Sequence, residues 1–216
     1  MLLWTEHLHN NGGQRMDLTT LVQWLGTAGI VAFYPIQNWR LVFTRNPVGL
    51  SFLAFSLIAV GISGYLALGI HLGLLGFIAG NTSNLAFATL ILLIVWFRSQ
   101  GLRATERAAG LLTLIVGFGA LIAIHLTASP VFASTAAGWL GLSGVVAFYL
   151  VQNTNLFRTK DPTGLSLLAF ACLTVGLAFY ALLGFLVKDI TIIIGNGVTF
   201  LGSLVVIYMI IRYRKK

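Results

Sequence analysis

The segment Trp24-Leu-Gly-Thr-Ala-Gly-Ile-Val-Ala-Phe-Tyr34 recurs 115 residues later as Trp139-Leu-Gly-Leu-Ser-Gly-Val-Val-Ala-Phe-Tyr149. The register then holds without a gap. Gln37-Asn38 returns as Gln152-Asn153, and Pro47-x-Gly49-Leu50-Ser51 as Pro162-x-Gly164-Leu165-Ser166. Gly61 returns as Gly176, Tyr65 as Tyr180, and Gly80-Asn81 as Gly195-Asn196. Chance likeness between apolar segments pairs Leu with Val. It does not pair Trp, Gln, Asn, Pro and Gly in one register. The chain is a duplication, and its fold must be built twice.

Each copy is too apolar for a soluble domain. The 216 residues are 58% hydrophobic and 8% charged, against roughly 25% charged where a surface must be solvated by water. A helix crosses the hydrocarbon core with about 20 apolar residues. Seven stretches qualify: about 20–43, 50–70, 73–97, 107–127, 131–156, 164–187 and 190–211. They run on without alternation, which argues against a barrel. Three fall in each copy, and 107–127 has no mate. Two three-span units joined directly would point in opposite directions, so the extra span restores the second unit to parallel. The expected fold is an all-α integral membrane protein with seven transmembrane helices, as two parallel three-helix bundles joined by a linker helix. Its parts are a polar tail (1–18), the first repeat (19–98), a linker with the fourth span (99–130), the second repeat (131–212) and a basic tail (213–216). A pseudo-twofold axis along the membrane normal then places an interface, and a route for solute, between the copies.

The net charge of +8 does not point to nucleic acid. Arg40 and Arg45 follow the first span, and Arg98, Arg103 and Arg107 lie between the third and fourth. Arg158 and Lys160 follow the fifth, and Arg212, Arg214, Lys215 and Lys216 form the tail. Only Arg15 and Lys188 fall on the other side. This alternation follows the positive-inside bias and puts the amino terminus outside and the carboxyl terminus in the cytoplasm. Cys172 stands alone, so no intrachain disulfide forms. Met16, ahead of Asp17-Leu-Thr-Thr, makes a sensible alternative start.

No charged side chain is expected deep within a span. Proton-driven carriers hold a titratable group there, and redox metal sites need clusters of His, Cys or carboxylate. The sequence offers neither, so no cofactor, no metal and no enzymatic activity are expected. The intramembrane polar groups are neutral. Asn81 lies about eight residues into the third span, roughly 12 Å deep at 1.5 Å per residue, and Asn196 lies at a matching depth in the seventh. A carboxamide facing lipid costs several kcal/mol, so both should face the interior, either as interhelical hydrogen-bond glue or around a wet cavity. Tyr65 and Tyr180 each precede their asparagine by 16 residues and reach a similar depth one helix earlier. Carboxamides donate and accept, and rings cover the apolar face of a sugar. These four side chains are the expected substrate-binding set, with belt residues as the plainer reading of the tyrosines. Gly61, Gly64 and Gly176 are read as close helix contacts, Gly80 and Gly195 as clearance for a solute. Pro47 and Pro162 are read as starts of the next helices, and Pro35 as a kink in the first span.

The three-plus-one-plus-three layout, the outward amino terminus, Tyr34-Pro35-Ile36-Gln37 through Gly49-Leu50-Ser51, and Asn81 with Asn196 resemble the SWEET, SemiSWEET and PQ-loop superfamily (MtN3/saliva-like) from Trp24 onward. The resemblance implies that the two asparagines line a sugar pocket, that Tyr65 and Tyr180 stand where SemiSWEETs carry tryptophan, and that Asp189 matches an outer-gate acid. Pro35, Gln37 and Gln152 are then gating residues, although Leu150 replaces the proline in the second copy. The implied function is a uniporter of small neutral solutes, mono- or disaccharides, working by alternating access in a plasma membrane. A receptor or scaffold without transport, or a carrier of an amino acid derivative or vitamin, are the alternatives. The partners are the solute, the bilayer and, left open, further copies of the chain.

Overall fold

The computed structural model describes residues 17–44, 50–98 and 103–213. Arg15, Met16, Pro47, Gly49 and most of both tails therefore lie outside the described residues. Among the described residues there are seven helices and no strand: α1 (Leu18–Thr44), α2 (Phe52–Leu72), α3 (Leu75–Arg98), α4 (Ala104–Thr127), α5 (Pro130–Thr159), α6 (Leu167–Val187) and α7 (Ile190–Tyr213).

The helix boundaries have local causes. Ser51 and Ser166, at matching positions, cap α2 and α6 with side-chain oxygens that accept from Ala54 N and Ala169 N. Pro162 is therefore not the start of α6, as its position implied. It belongs to the preceding turn, where its carbonyl accepts from Leu165 N at 2.8 Å. At their other ends α2 and α6 stop on left-handed residues, Gly73 (φ 67°) and Lys188 (φ 56°). There the N–H groups of residues 74 and 189 reach back to the carbonyls of Gly69 and Gly184. This closure satisfies orphan carbonyls and turns the chain directly into α3 and α7. α1 runs unbroken through Pro35, whose ring lies on the exposed side of the helix.

In each repeat the third helix sits between the other two: α3 packs on α1 and α2, and α7 packs on α5 and α6. The repeats meet where α2 packs on α5 and α1 on α6. The six helices thus close a ring in the order α1, α3, α2, α5, α7, α6. The unpaired α4 lies outside it, chiefly against α2.

The ring closes through glycine. A Cβ on Gly29 would stand 2.6 Å from the Gly176 nitrogen, and one on Gly144 would stand 2.5 Å from the Gly61 Cα. These two crossings are each other's images under the repeat. The glycines of α2 and α6 therefore serve close packing between units.

α2 to α7 are each long and apolar enough to cross a membrane. α1, at 27 residues, is long enough but is not among the spans picked out by apolar length. Its Gln23, Thr27, Gln37 and Asn38 are all buried, whereas Leu18, Trp24, Trp39 and Phe43 face outward. An average along the sequence does not see this segregation by face.

Candidate functional site

Between the two units lies a cavity of about 40 Å³. Its walls are repeat-related pairs: Ile30 with Val145, Phe33 with Phe148, Tyr34 with Tyr149, Ile58 with Leu173, and Ile62 with Leu177. The polar positions are Tyr65 with Tyr180, Asn81 with Asn196, and Asn84 with Thr199. Every lining side chain is neutral. The pairing puts the cavity on the pseudo-twofold axis, where a duplicated residue meets its own copy.

Asn81 and Asn196, 3% and 4% exposed, are held alike. Each Nδ2 donates to the carbonyl four residues earlier, Phe77 O at 2.8 Å and Ile192 O at 2.9 Å. This orients the carboxamide with one N–H on its own helix. The second N–H and the Oδ1 remain for whatever enters the cavity.

The tyrosines are exchanged between units. Tyr65 of α2 does not lie over Asn81 of its own repeat alone. Its hydroxyl donates to Thr191 O at 2.8 Å, at the start of α7. Tyr180 of α6 crosses the other way, sharing a proton with Thr27 Oγ1 at 3.0 Å and reaching Gly76 O at 3.5 Å, at the start of α3. Gly76 and Thr191 are matching positions. Gly80 and Gly195 are occupied by these hydroxyls: a Cβ on either would collide with the oxygen of Tyr180 or Tyr65. Their clearance, expected to serve a solute, is used by the opposite unit's tyrosine. Gly26 and Gly141 give the same rings room from α1 and α5. The two tyrosines, 4% and 1% exposed, wall the cavity and also close its end.

The opposite end is closed by the glutamines, also in exchange. Gln37 of α1 donates from Nε2 to Gly164 O at 2.6 Å and accepts at Oε1 from Ser166 N at 2.9 Å, at the start of α6. Gln152 of α5 accepts from Ser51 N at 3.2 Å, at the start of α2. Arg40 adds a bond from Nε to Thr163 O at 3.0 Å. A carboxamide that completes the first turn of a helix in the other unit satisfies backbone donors that would otherwise be orphaned. It also ties the units together at that end.

With both ends closed the space is small. A water needs about 10–15 Å³ by this measure, so the cavity holds about three waters and not the dozen or so heavy atoms of a hexose.

Asp189 sits at the tyrosine end as the cap of α7. Its Oδ1 accepts from Thr191 N at 2.9 Å, Thr191 Oγ1 at 2.6 Å and Ile192 N at 3.0 Å. It thus holds the residue whose carbonyl receives Tyr65. Pro35 is brought to no part of the cavity. The cavity residues that went unassigned in the sequence include Tyr34, Tyr149, Phe33 and Phe148. Their signal was the Phe-Tyr pair that ends the most strongly repeated segment.

No family model matches the chain, and no curated protein matches it by sequence. Among solved structures it is similar to a eukaryotic SWEET transporter determined at 3.7 Å, with a TM-score of 0.60 and 16% sequence identity over 93% of this chain and 100% of that one. The chain has the seven-helix SWEET fold and is an integral membrane protein.

Proposed function

We propose that this chain is a facilitative transporter of the SWEET type, a uniporter that carries small neutral solutes, mono- or disaccharides, across the plasma membrane by alternating access. The observation that carries the reading is the neutral cavity on the pseudo-twofold axis. Two carboxamides, Asn81 and Asn196, face it with unused hydrogen-bonding capacity, and it is shut at one end by exchanged tyrosines and at the other by exchanged glutamines. A site on the repeat axis with a closure at each end is what alternating access needs. Rocking of one unit against the other about the glycine crossings would withdraw Tyr65 and Tyr180 at one end, or Gln37 and Gln152 at the other. Each closure rests on a few hydrogen bonds, each about 0.6 kcal/mol between helices in a bilayer, so neither end is locked. Among the described residues the cations other than Lys188 lie towards the glutamine end, which supports a cytoplasmic placement of that end. No titratable carboxylate or imidazole lines the cavity, which supports downhill flux without proton coupling.

The test is uptake of labelled sugars into liposomes that carry the purified protein. Saturable flux, lost in the Asn81→Ala, Asn196→Ala double variant while the protein still folds, is expected. Full flux in that variant would overturn the site. Accumulation driven by a pH gradient would overturn the uniporter assignment, and binding without flux would favour a receptor.

A further inference from the structure

Three of the four polar pairs around the cavity are chemically identical: Tyr34 with Tyr149, Tyr65 with Tyr180, and Asn81 with Asn196. The fourth is broken. Asn84 of α3 faces Thr199 of α7. The two also differ in how they are satisfied. Thr199 Oγ1 donates within its own helix, to Gly195 O at 2.8 Å and Asn196 O at 3.0 Å. Asn84 is 9% exposed, and its Oδ1 is buried without a hydrogen-bond partner among the described residues. A buried polar group left unpaired is a cost that persists unless something fills the cavity and pairs it.

A pocket with full twofold symmetry offers an asymmetric solute two equivalent poses related by the axis. Each sugar hydroxyl would then meet the same chemistry whichever way round it bound, and neither direction of binding would be preferred. One broken position removes this degeneracy. The carboxamide of Asn84 both donates and accepts, and its Oδ1 is unpaired among the described residues, whereas the threonine hydroxyl has already committed its proton.

We infer that Asn84 is the orientation-determining residue of the cavity: it hydrogen-bonds one hydroxyl of the solute and fixes which end of the solute faces the first repeat. This rests on the transport reading above and adds to it a direction of binding within a nearly symmetric site. Asn84 acts on selectivity between close analogues, and Asn81 with Asn196 act on binding of either pose.

The experiment uses the full chain in liposomes and the monodeoxy series of one transported hexose as competitors. In the unaltered protein, removal of one particular hydroxyl weakens competition about tenfold, the loss of one hydrogen bond to a buried partner. Asn84→Thr, which copies the opposite wall, weakens binding of the parent sugar about tenfold, to the level of the deoxy analogue, and so abolishes that discrimination. The double variant Asn84→Thr, Thr199→Asn moves the carboxamide across the axis and restores discrimination at the same hydroxyl, because the solute turns around with it. A purely structural asparagine would not be rescued from the other wall. Retention of the full penalty in Asn84→Thr, or its absence from the double variant, would overturn the inference. So would saturable flux in the unaltered protein with no hydroxyl distinguished, and there the transport reading would stand. Absence of saturable sugar flux would remove both.

Discussion

The start of α3 and the start of α7 are equivalent under the repeat, yet they are completed by different groups. Gly76 N donates to Gln23 Oε1 at 3.1 Å, a side chain supplied by α1. Its mate Thr191 N donates to Asp189 Oδ1, a cap supplied by the chain just ahead of α7. Gly138 stands where the second repeat would have Gln23, and Leu74 stands where the first would have Asp189. Other positions differ in the same manner. Tyr34 stacks on Phe87 at 5.6 Å, whereas Tyr149 lies against Gly202, where a Cβ would stand 2.6 Å from the ring. Glu106 of α4 accepts from Ser51 Oγ at 3.0 Å and Phe52 N at 3.1 Å, so the start of α2 is held by α4 as well as by Gln152. α4 has no mate, and α6 has no such second clasp from it.

The contrast separates two kinds of requirement. An open backbone N–H can donate to any suitably placed oxygen, so the caps of α3 and α7 differ between the copies, although the serine caps of α2 and α6 do not. A helix crossing with no room for a Cβ, or a ring threaded between two glycines, admits one residue type only. Most of those positions stay the same in both halves, Gly29 and Gly144, Gly61 and Gly176, Gly80 and Gly195, Tyr65 and Tyr180, although Gly64, whose Cβ would meet Gly141, is matched by Phe179.

The severest way to break the equivalence is at the crossings. Gly144→Ala and Gly29→Ala should each destabilise the protein by about 3 kcal/mol, since the added carbon must force two backbones apart. Unfolding in detergent should show equal losses, and a tolerated change at one site alone would mean that the two crossings are not equivalent. Gln37→Ala and Gln152→Ala come next, at about 2 kcal/mol each, because each strands a buried N–H in the opposite unit. Hydrogen exchange should speed up at the Ser166 amide in the first and at the Ser51 amide in the second. Glu106→Ala should cost about 1 kcal/mol, the usual loss of a helix cap. It should quicken exchange at Phe52 while leaving Leu167, its repeat mate, untouched. Equal acceleration at both would show that α4 steadies the whole ring. The smallest effect is expected from Tyr65→Phe and Tyr180→Phe, about 0.6 kcal/mol apiece for one interhelical hydrogen bond. Tyr65 bonds Thr191 O at 2.8 Å and Tyr180 bonds Thr27 Oγ1 at 3.0 Å, so the two losses should be similar, read again by unfolding in detergent.

Much of the candidate site was legible beforehand. Asn81, Asn196, Tyr65 and Tyr180 stand out as polar or aromatic residues repeated at matching depth in apolar helices, and all four line the cavity. Tyr34 and Tyr149 were equally repeated, but a tyrosine in an apolar run carries no mark of the face it occupies. Gln37 and Gln152 were assigned to gating through the family resemblance. That each completes a helix of the other unit could not be read, because the partners are backbone groups more than a hundred residues away in sequence. Asp189 was read as a gate acid and stands as a cap, since a carboxylate two residues before a Thr N–H binds locally first.

The sequence by itself determined seven helices, their pairing into two like units and the role of the unpaired fourth, because apolar length and a conserved register are properties of the chain taken in order. Only the tertiary structure decided that Tyr65 belongs to the wall of α7, that Gly80 and Gly195 make room for a ring and not for a solute, and that Asn84 is left unpaired where Thr199 is not. These are facts about which atoms compete for one small volume. A repeat states what is present in each half, but packing across the axis decides what each half gives to the other.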